Sequence, residues 1–130
     1  MNPRQKPHVL LVEDDPAIAR MYRLALTEYG YRVETVPDGE AGLEAVHDRR
    51  PDLVLLDLRL PRMDGMQVLE HLRDDIKKRG LKVIVLSNHG VDETVGATLK
   101  LGAVEYLTKA TVTPRELAQV IARHLVGRMS

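Results

Sequence analysis

The chain has 130 residues, a length that fits one domain with a real hydrophobic core. Its 19 Lys and Arg balance its 19 Asp and Glu, so no basic excess points to nucleic acid or to an acidic membrane surface. There is no cysteine, which excludes disulfides, thiolate metal sites and cysteine nucleophiles and is compatible with a cytoplasmic location.

The start, Met1 to Pro7, is polar with two prolines and reads as a loose tail on a single domain covering 1–130. The first strand is expected over His8–Glu13, an apolar run that stops on three acids, Glu13, Asp14 and Asp15. Asp15 before Pro16 is an N-cap signal for a helix to about Tyr29, with Ile18, Tyr22, Ala25 and Tyr29 on one face and Gly30 as its stop. Tyr31–Val36 alternates and reads as a strand nearer an edge, and Asp38 caps a second helix to about Asp48. Leu53–Leu56 is a buried strand that ends on Asp57. The spacing predicts one helix from Gly65 to Lys78 with Leu69, Leu72 and Ile76 inward, closed by Gly80.

Lys82–Ser87 is the fourth strand and ends on a hydroxyl. The helix expected over Asp92–Leu101 is weak, because Gly96 and the β-branched Thr94, Val95 and Thr98 are poor helix formers. A marginal element beside a site is easily moved by a few kcal/mol of ligand binding. The fifth strand, Val104–Thr108, ends on Lys109. Thr113-Pro114-Arg115-Glu116 is a capping box opening a last helix that buries Leu117, Val120, Ile121 and Leu125. No apolar stretch is long enough for a transmembrane helix or a secretory signal.

Five strands alternating with five helices imply an α/β fold, a doubly wound parallel sheet with helices on both faces. Its functional crevice lies at the carboxyl ends of the strands, where Glu13, Asp14, Asp57, Ser87 and Lys109 fall. Crowded carboxylates repel, and a hard cation such as Mg²⁺ resolves the repulsion with oxygen ligands. Lys109 suits a phosphoryl oxygen, the Ser87 hydroxyl can donate to the same group, and an aspartate can itself be the nucleophile. The plainer readings differ by residue: Asp15 is a cap, Asp64 a cap or turn, and Tyr106 either a packing aromatic or part of the site. The histidines (His8, His47, His71, His89, His124) lack metal spacing and read as surface residues.

Four motifs in order, Val12-Glu13-Asp14-Asp15, Asp57-Leu58-Arg59-Leu60-Pro61 with Met63-Asp64-Gly65, Leu86-Ser87 and Tyr106-Leu107-Thr108-Lys109, carry a family likeness over roughly His8–Leu125. The chain resembles the receiver domain of response regulators of two-component signalling, the group that includes the chemotaxis response regulator. The resemblance implies a flavodoxin-like (βα)5 fold with strand order 2-1-3-4-5. It implies that Asp57 accepts a phosphoryl group from a sensor histidine kinase or a histidine phosphotransfer protein. Mg²⁺ would be held by Asp14, by Glu13 mostly through water, by the Asp57 carboxylate and by the Arg59 backbone carbonyl. Ser87 and Tyr106 would act as the switch, Lys109 would pair with the phosphoryl group, and the fourth helix, fifth strand and fifth helix would present a face to an output protein. The domain would catalyse only its own phosphorylation and dephosphorylation, without touching nucleic acid or membrane, and a homodimer is left open.

Two positions depart from the family pattern. Ala110 follows Lys109 where a proline in a cis peptide is usual, and Asn88 replaces a small residue after Ser87, where it would narrow access to the site. Arg59 and His89 are placed to steer water and set the lifetime of a phosphoryl group. A Mg²⁺-dependent phosphohydrolase is the competing enzyme reading, and Arg59 stands where such an enzyme needs a second acid. A phosphate-independent interaction module is the third. Whether the chain acts alone, as a phosphorelay shuttle or as a piece of a longer regulator is left open by its residues.

Overall fold

The computed structural model describes residues 6–88 and 92–126. Five parallel strands, β1 (His8–Val12), β2 (Arg32–Val36), β3 (Leu53–Leu56), β4 (Lys82–Ser87) and β5 (Glu105–Thr108), form one sheet in the order β2-β1-β3-β4-β5. This is the expected doubly wound, flavodoxin-like arrangement. The helices are α1 (Pro16–Glu28), α2 (Gly39–Arg49), α3 (Gly65–His71), α4 (Arg73–Arg79), α5 (Asp92–Lys100) and α6 (Pro114–Leu125).

Strand periodicity divides the core in two. Val9, Leu11, Leu53, Leu55, Ile84 and Leu86 face α1 and α6. Their neighbours Leu10, Val12, Val54, Leu56, Val83 and Val85 join Val46 of α2 and Val68 and Leu69 of α3 on the other face. Because both faces are covered, β1, β3 and most of β4 are buried at every residue, which is why these strands read as unbroken apolar runs. β2 lies at one edge and alternates less cleanly, with an exposed Arg32 and a buried Val36.

Helix ends follow the sequence signals. Asp15 accepts from the N–H groups of Ala17 and Ile18, and Asp64 and Thr113 each form a capping box, with Gln67 and Glu116. Gly80, at φ 69°, closes α4 in the left-handed region.

Four expectations change. The helix predicted over Gly65–Lys78 is two, broken at Leu72 (φ −88°, ψ 0°), so the last two helices become α5 and α6. No Gly or Pro marks the break; Asp74 and Asp75 open the second piece, where acids favour a helix start over an interior. The buried face of α1 is Ala19, Tyr22 and Leu26, one step round from the predicted stripe, leaving Tyr29 half exposed. Pro7, assigned to the tail, is buried, and its carbonyl accepts from Arg32 N–H at 2.9 Å. His8, read as a surface residue, is buried at the amino end of the sheet.

Candidate functional site

The carboxyl ends of β1, β3 and β5 bring three acids and one lysine together. Glu13 continues the β1 ladder one residue past the strand, its N–H donating to Val36 O at 3.0 Å. Asp57 does the same past β3, with its N–H on Val12 O at 3.2 Å. The peptide of Asp57 therefore hangs beside the residue that precedes Glu13. Both side chains are buried, Glu13 at 3% and Asp57 at 6% exposure, while Asp14 is exposed. One carboxylate oxygen from each of the three lies within 4.8 Å of the others.

Lys109, just past β5, reaches back into this group. Its Nζ donates to Asp57 Oδ2 at 2.8 Å and also to Glu13 Oε1. The second oxygen of Asp57, Oδ1, accepts from Arg59 N–H at 3.0 Å. The second oxygen of Glu13 accepts from Asp15 N–H at 3.2 Å. Every buried carboxylate oxygen thus has a donor, as buried charge requires.

Burial raises the Glu13 carboxyl above the ordinary range, and the nearby Asp57 charge adds to the rise; Lys109 and the Asp15 N–H pull against it. For Lys109 burial is the largest single influence and favours the neutral amine. The contacts with Asp57 and Glu13 together outweigh it, so its pKa rises. Lys109 is a firmly held cation.

Gly65 explains how Asp57 is backed. The first residue of α3 donates its N–H to Leu58 O at 2.9 Å, and a Cβ there would come within 2.5 Å of Asp57 O and Leu58 Cα. Only glycine lets the helix start this close to the strand end.

Ser87 ends β4 with no exposed surface, in register with Thr108, and its carbonyl accepts from Lys109 N–H at 3.3 Å. Tyr106 is half-buried against the core cluster that includes Val85, its partner in register. Arg59 is exposed beside the site, and its backbone N–H is already turned to Asp57. His89 lies outside the described residues. The Lys109–Ala110 peptide is trans, and Ala110, unlike a proline, has an N–H, which donates to Asn88 Oδ1 at 2.8 Å. The Asn88 carbonyl oxygen is therefore held by the β5–α6 turn. This contact needed both residues to be known as spatial neighbours, and no sequence signal announced it. The Glu13–Lys109 ion pair was hidden for the same reason.

The donor set of Glu13, Asp14 and Asp57 is all carboxylate oxygen, two buried and one open to solvent, which fits a hard divalent cation and no soft metal. One lysine against three acids leaves the cluster short of positive charge.

Comparison with known proteins identifies the family. The profile of the response regulator receiver domain matches residues 9–122. The transcriptional regulatory protein AfsQ1 of Streptomyces coelicolor is 40% identical over 103 residues, covering 79% of this chain and 44% of that protein. The DNA-binding response regulator MtrA of Mycolicibacterium smegmatis is 40% identical over 121 residues, covering 91% of this chain and 50% of that protein. The chain thus spans about half the length of these relatives. Among solved structures, a CheY-like response regulator receiver domain protein from Methanospirillum hungatei superposes with a TM-score of 0.87 at 30% identity, covering 95% of this chain and 97% of that one. The BeF3-activated N-terminal receiver domain of Klebsiella pneumoniae RstA gives 0.83 at 30% identity, covering 91% and 97%. By sequence, fold and strand-end residues together, the chain belongs to the response regulator receiver domain family of two-component signal transduction.

Proposed function

We propose that Asp57 accepts a phosphoryl group from a histidine kinase or a histidine phosphotransfer protein. Loading then alters the face formed by α5, β5 and α6 to control an output partner. The observation that carries this reading is the single ammonium of Lys109 held between the buried carboxylates of Asp57 and Glu13. A surface lysine in a plain salt bridge does not need two buried acids, and two buried acids with one cation leave room for a further positive group.

In the transfer, an oxygen of the Asp57 carboxylate attacks phosphorus, the bond from phosphorus to the donor's imidazole nitrogen breaks, and an acyl phosphate forms. Arg59 N–H holds Oδ1, which fixes the orientation of the carboxylate and leaves Oδ2 to Lys109. Lys109 already touches Oδ2 and would follow the negative charge onto the phosphoryl oxygens. Ser87, buried at the end of β4, would supply a hydroxyl to the same oxygens. Asp14, Asp57 and the Arg59 carbonyl, with Glu13 through water, would hold Mg²⁺, which supplies charge neutralisation at the transferring group. Hydrolysis of the acyl phosphate returns Asp57 and inorganic phosphate, the domain acting only on itself.

Output follows from likeness: the curated relatives carry the names of transcriptional and DNA-binding regulators. We therefore infer that loading controls transcription through an output domain or partner, while these 130 residues have no basic excess of their own for DNA. The phosphohydrolase reading is disfavoured by Arg59, which offers no acid two residues after Asp57.

Incubation with acetyl phosphate and Mg²⁺ tests the proposal. One equivalent of a hydroxylamine-labile adduct is expected, absent in Asp57→Asn. Repeated turnover of a small phosphate ester with no adduct would overturn it in favour of a hydrolase.

A further inference from the structure

Ser87 and Thr108 are the last registered pair between β4 and β5. Past them, Lys109 N–H donates to Ser87 O at 3.3 Å, and Ala110 N–H donates to Asn88 Oδ1 at 2.8 Å. The Asn88 side-chain carbonyl thus adds one rung to the ladder beyond the point where the strands end. It is the shorter of the two bonds. On the far side, Thr111 N–H and Val112 N–H both donate to Thr108 O, at 3.1 and 3.0 Å, closing the turn. Lys109 sits in the middle of these fastenings, and its Nζ bridges Glu13 and Asp57.

We propose that Asn88 is a positioning residue: through the Ala110 N–H it fixes the backbone of Lys109 so that the ammonium meets Asp57. The proposal rests on the phosphoacceptor reading above. The bond requires both residues at once. Proline at 110 would have no N–H to give, and alanine or glycine at 88 would have no side-chain acceptor. The two positions at which this sequence departs from its family's pattern are therefore a single clasp. A lysine side chain has four rotatable bonds, so the reach of its Nζ is defined only as well as its Cα is held, and small misplacements at a reacting centre are costly. The clasp also ties Lys109 to the segment that carries Ser87, so the two groups meant for the phosphoryl oxygens move as a unit.

Asn88→Ala and Ala110→Pro each remove the same bond, so a double-mutant cycle isolates it. Loading by acetyl phosphate is expected to slow about two- to tenfold in Asn88→Ala, the worth of one neutral hydrogen bond. The double variant should be no slower than the slower single one. In unloaded Asn88→Ala, the Ala110 amide should exchange faster and the Lys109 ammonium resonance should shift, while amides in the middle of β1 and β3 keep their protection. Unchanged loading with an unchanged Lys109 resonance, or effects that simply add in the double variant, would overturn the proposal. If Ala110→Pro does not fold, the Asn88→Ala measurements decide alone. If the unmutated chain takes no phosphoryl group, the phosphoacceptor reading fails separately; the Lys109 resonance in Asn88→Ala still judges the clasp, a shift supporting it and no shift refuting it.

Discussion

At the carboxyl end of the sheet Glu13 and Asp57 share one cation, Lys109, with the Asp14 carboxylate close by. At the amino end Glu34 and Asp52 lie near Arg32, Arg49 and the imidazole of His8. There His8 N–H donates to Asp52 Oδ2 at 2.8 Å and Asp52 N–H donates to His8 O at 2.9 Å, so β1 and β3 begin with a reciprocal lock. Glu34 takes both His8 Nε2, at 3.2 Å, and Arg49. Glu34 has an arginine of its own at this end, whereas at the other end two buried acids share one lysine. A matched cluster fastens strand starts together; an unmatched buried one costs stability and persists where a further positive group is to be received.

Removing a cation from each end should expose this difference most. Lys109→Met leaves two buried acids facing each other and is expected to cost about 3 kcal/mol of stability. It should also slow loading on the order of a hundredfold, as loss of a donor to a developing oxyanion does. Arg49→Met, from a partly exposed pair, should cost about 1 kcal/mol. Urea unfolding of both variants makes the test, and equal costs would erase the distinction between the ends.

Adding a cation is the converse. Mg²⁺ at a hundred times its dissociation constant should stabilise the chain by about 2.7 kcal/mol. Asp14→Asn should lose most of that gain, whereas Glu34→Gln at the other end should keep it. Thermal unfolding with and without Mg²⁺ reads the difference.

Gly65→Ala probes the backing of Asp57. A Cβ pressed on Asp57 O and Leu58 Cα is expected to cost about 2 kcal/mol through backbone shifts. Loading should suffer as well, because the displaced atoms carry the acceptor. Gly96→Ala in α5 meets nothing and should be neutral or slightly stabilising.

The smallest effects are in pH, and they have opposite windows. Burial, helped by Arg32, lowers the His8 pKa from its ordinary 6.5 against the pull of Glu34. The unfolded chain therefore binds the proton more readily. The contribution of neutral His8 is complete above pH 6.5 and is lost as pH falls through the folded value. Lys109 is raised from 10.5, so its contribution is complete below that pH and is lost as pH rises through the folded value. The acid loss should shrink in His8→Gln and the alkaline loss in Lys109→Met, each measured as stability against pH.

Much of the fold is legible from local chemistry. The apolar runs ending at Glu13, Asp57 and Ser87 mark strands buried on both faces, and Asp15, Asp64 and Thr113 mark helix starts by their side chains. The break at Leu72 is not, since neither Gly nor Pro marks it. The α1 stripe was displaced because a run rich in apolar residues offers several overlapping stripes, and the tertiary partner, α6, selects among them. At the site, the membership of Glu13, Asp14, Asp57 and Lys109 follows from strand ends alone. Pairings do not: that Lys109 spans two acids, that Gly65 touches the back of Asp57, and that Asn88 holds Ala110 all depend on residues far apart in the chain. The burial of His8 is not legible either, because burial at a strand start depends on what covers it.

On the function proposed above, Lys109 bridges Glu13 and Asp57 so that Asp57 can be reversibly phosphorylated. Peptide mapping by mass spectrometry, after acetyl phosphate treatment with and without Mg²⁺, addresses it most directly. The expected result is a single phosphoryl group on the peptide containing Asp57, formed only with the cation and lost again with time. A phosphoryl group elsewhere, or none under either condition, would contradict it.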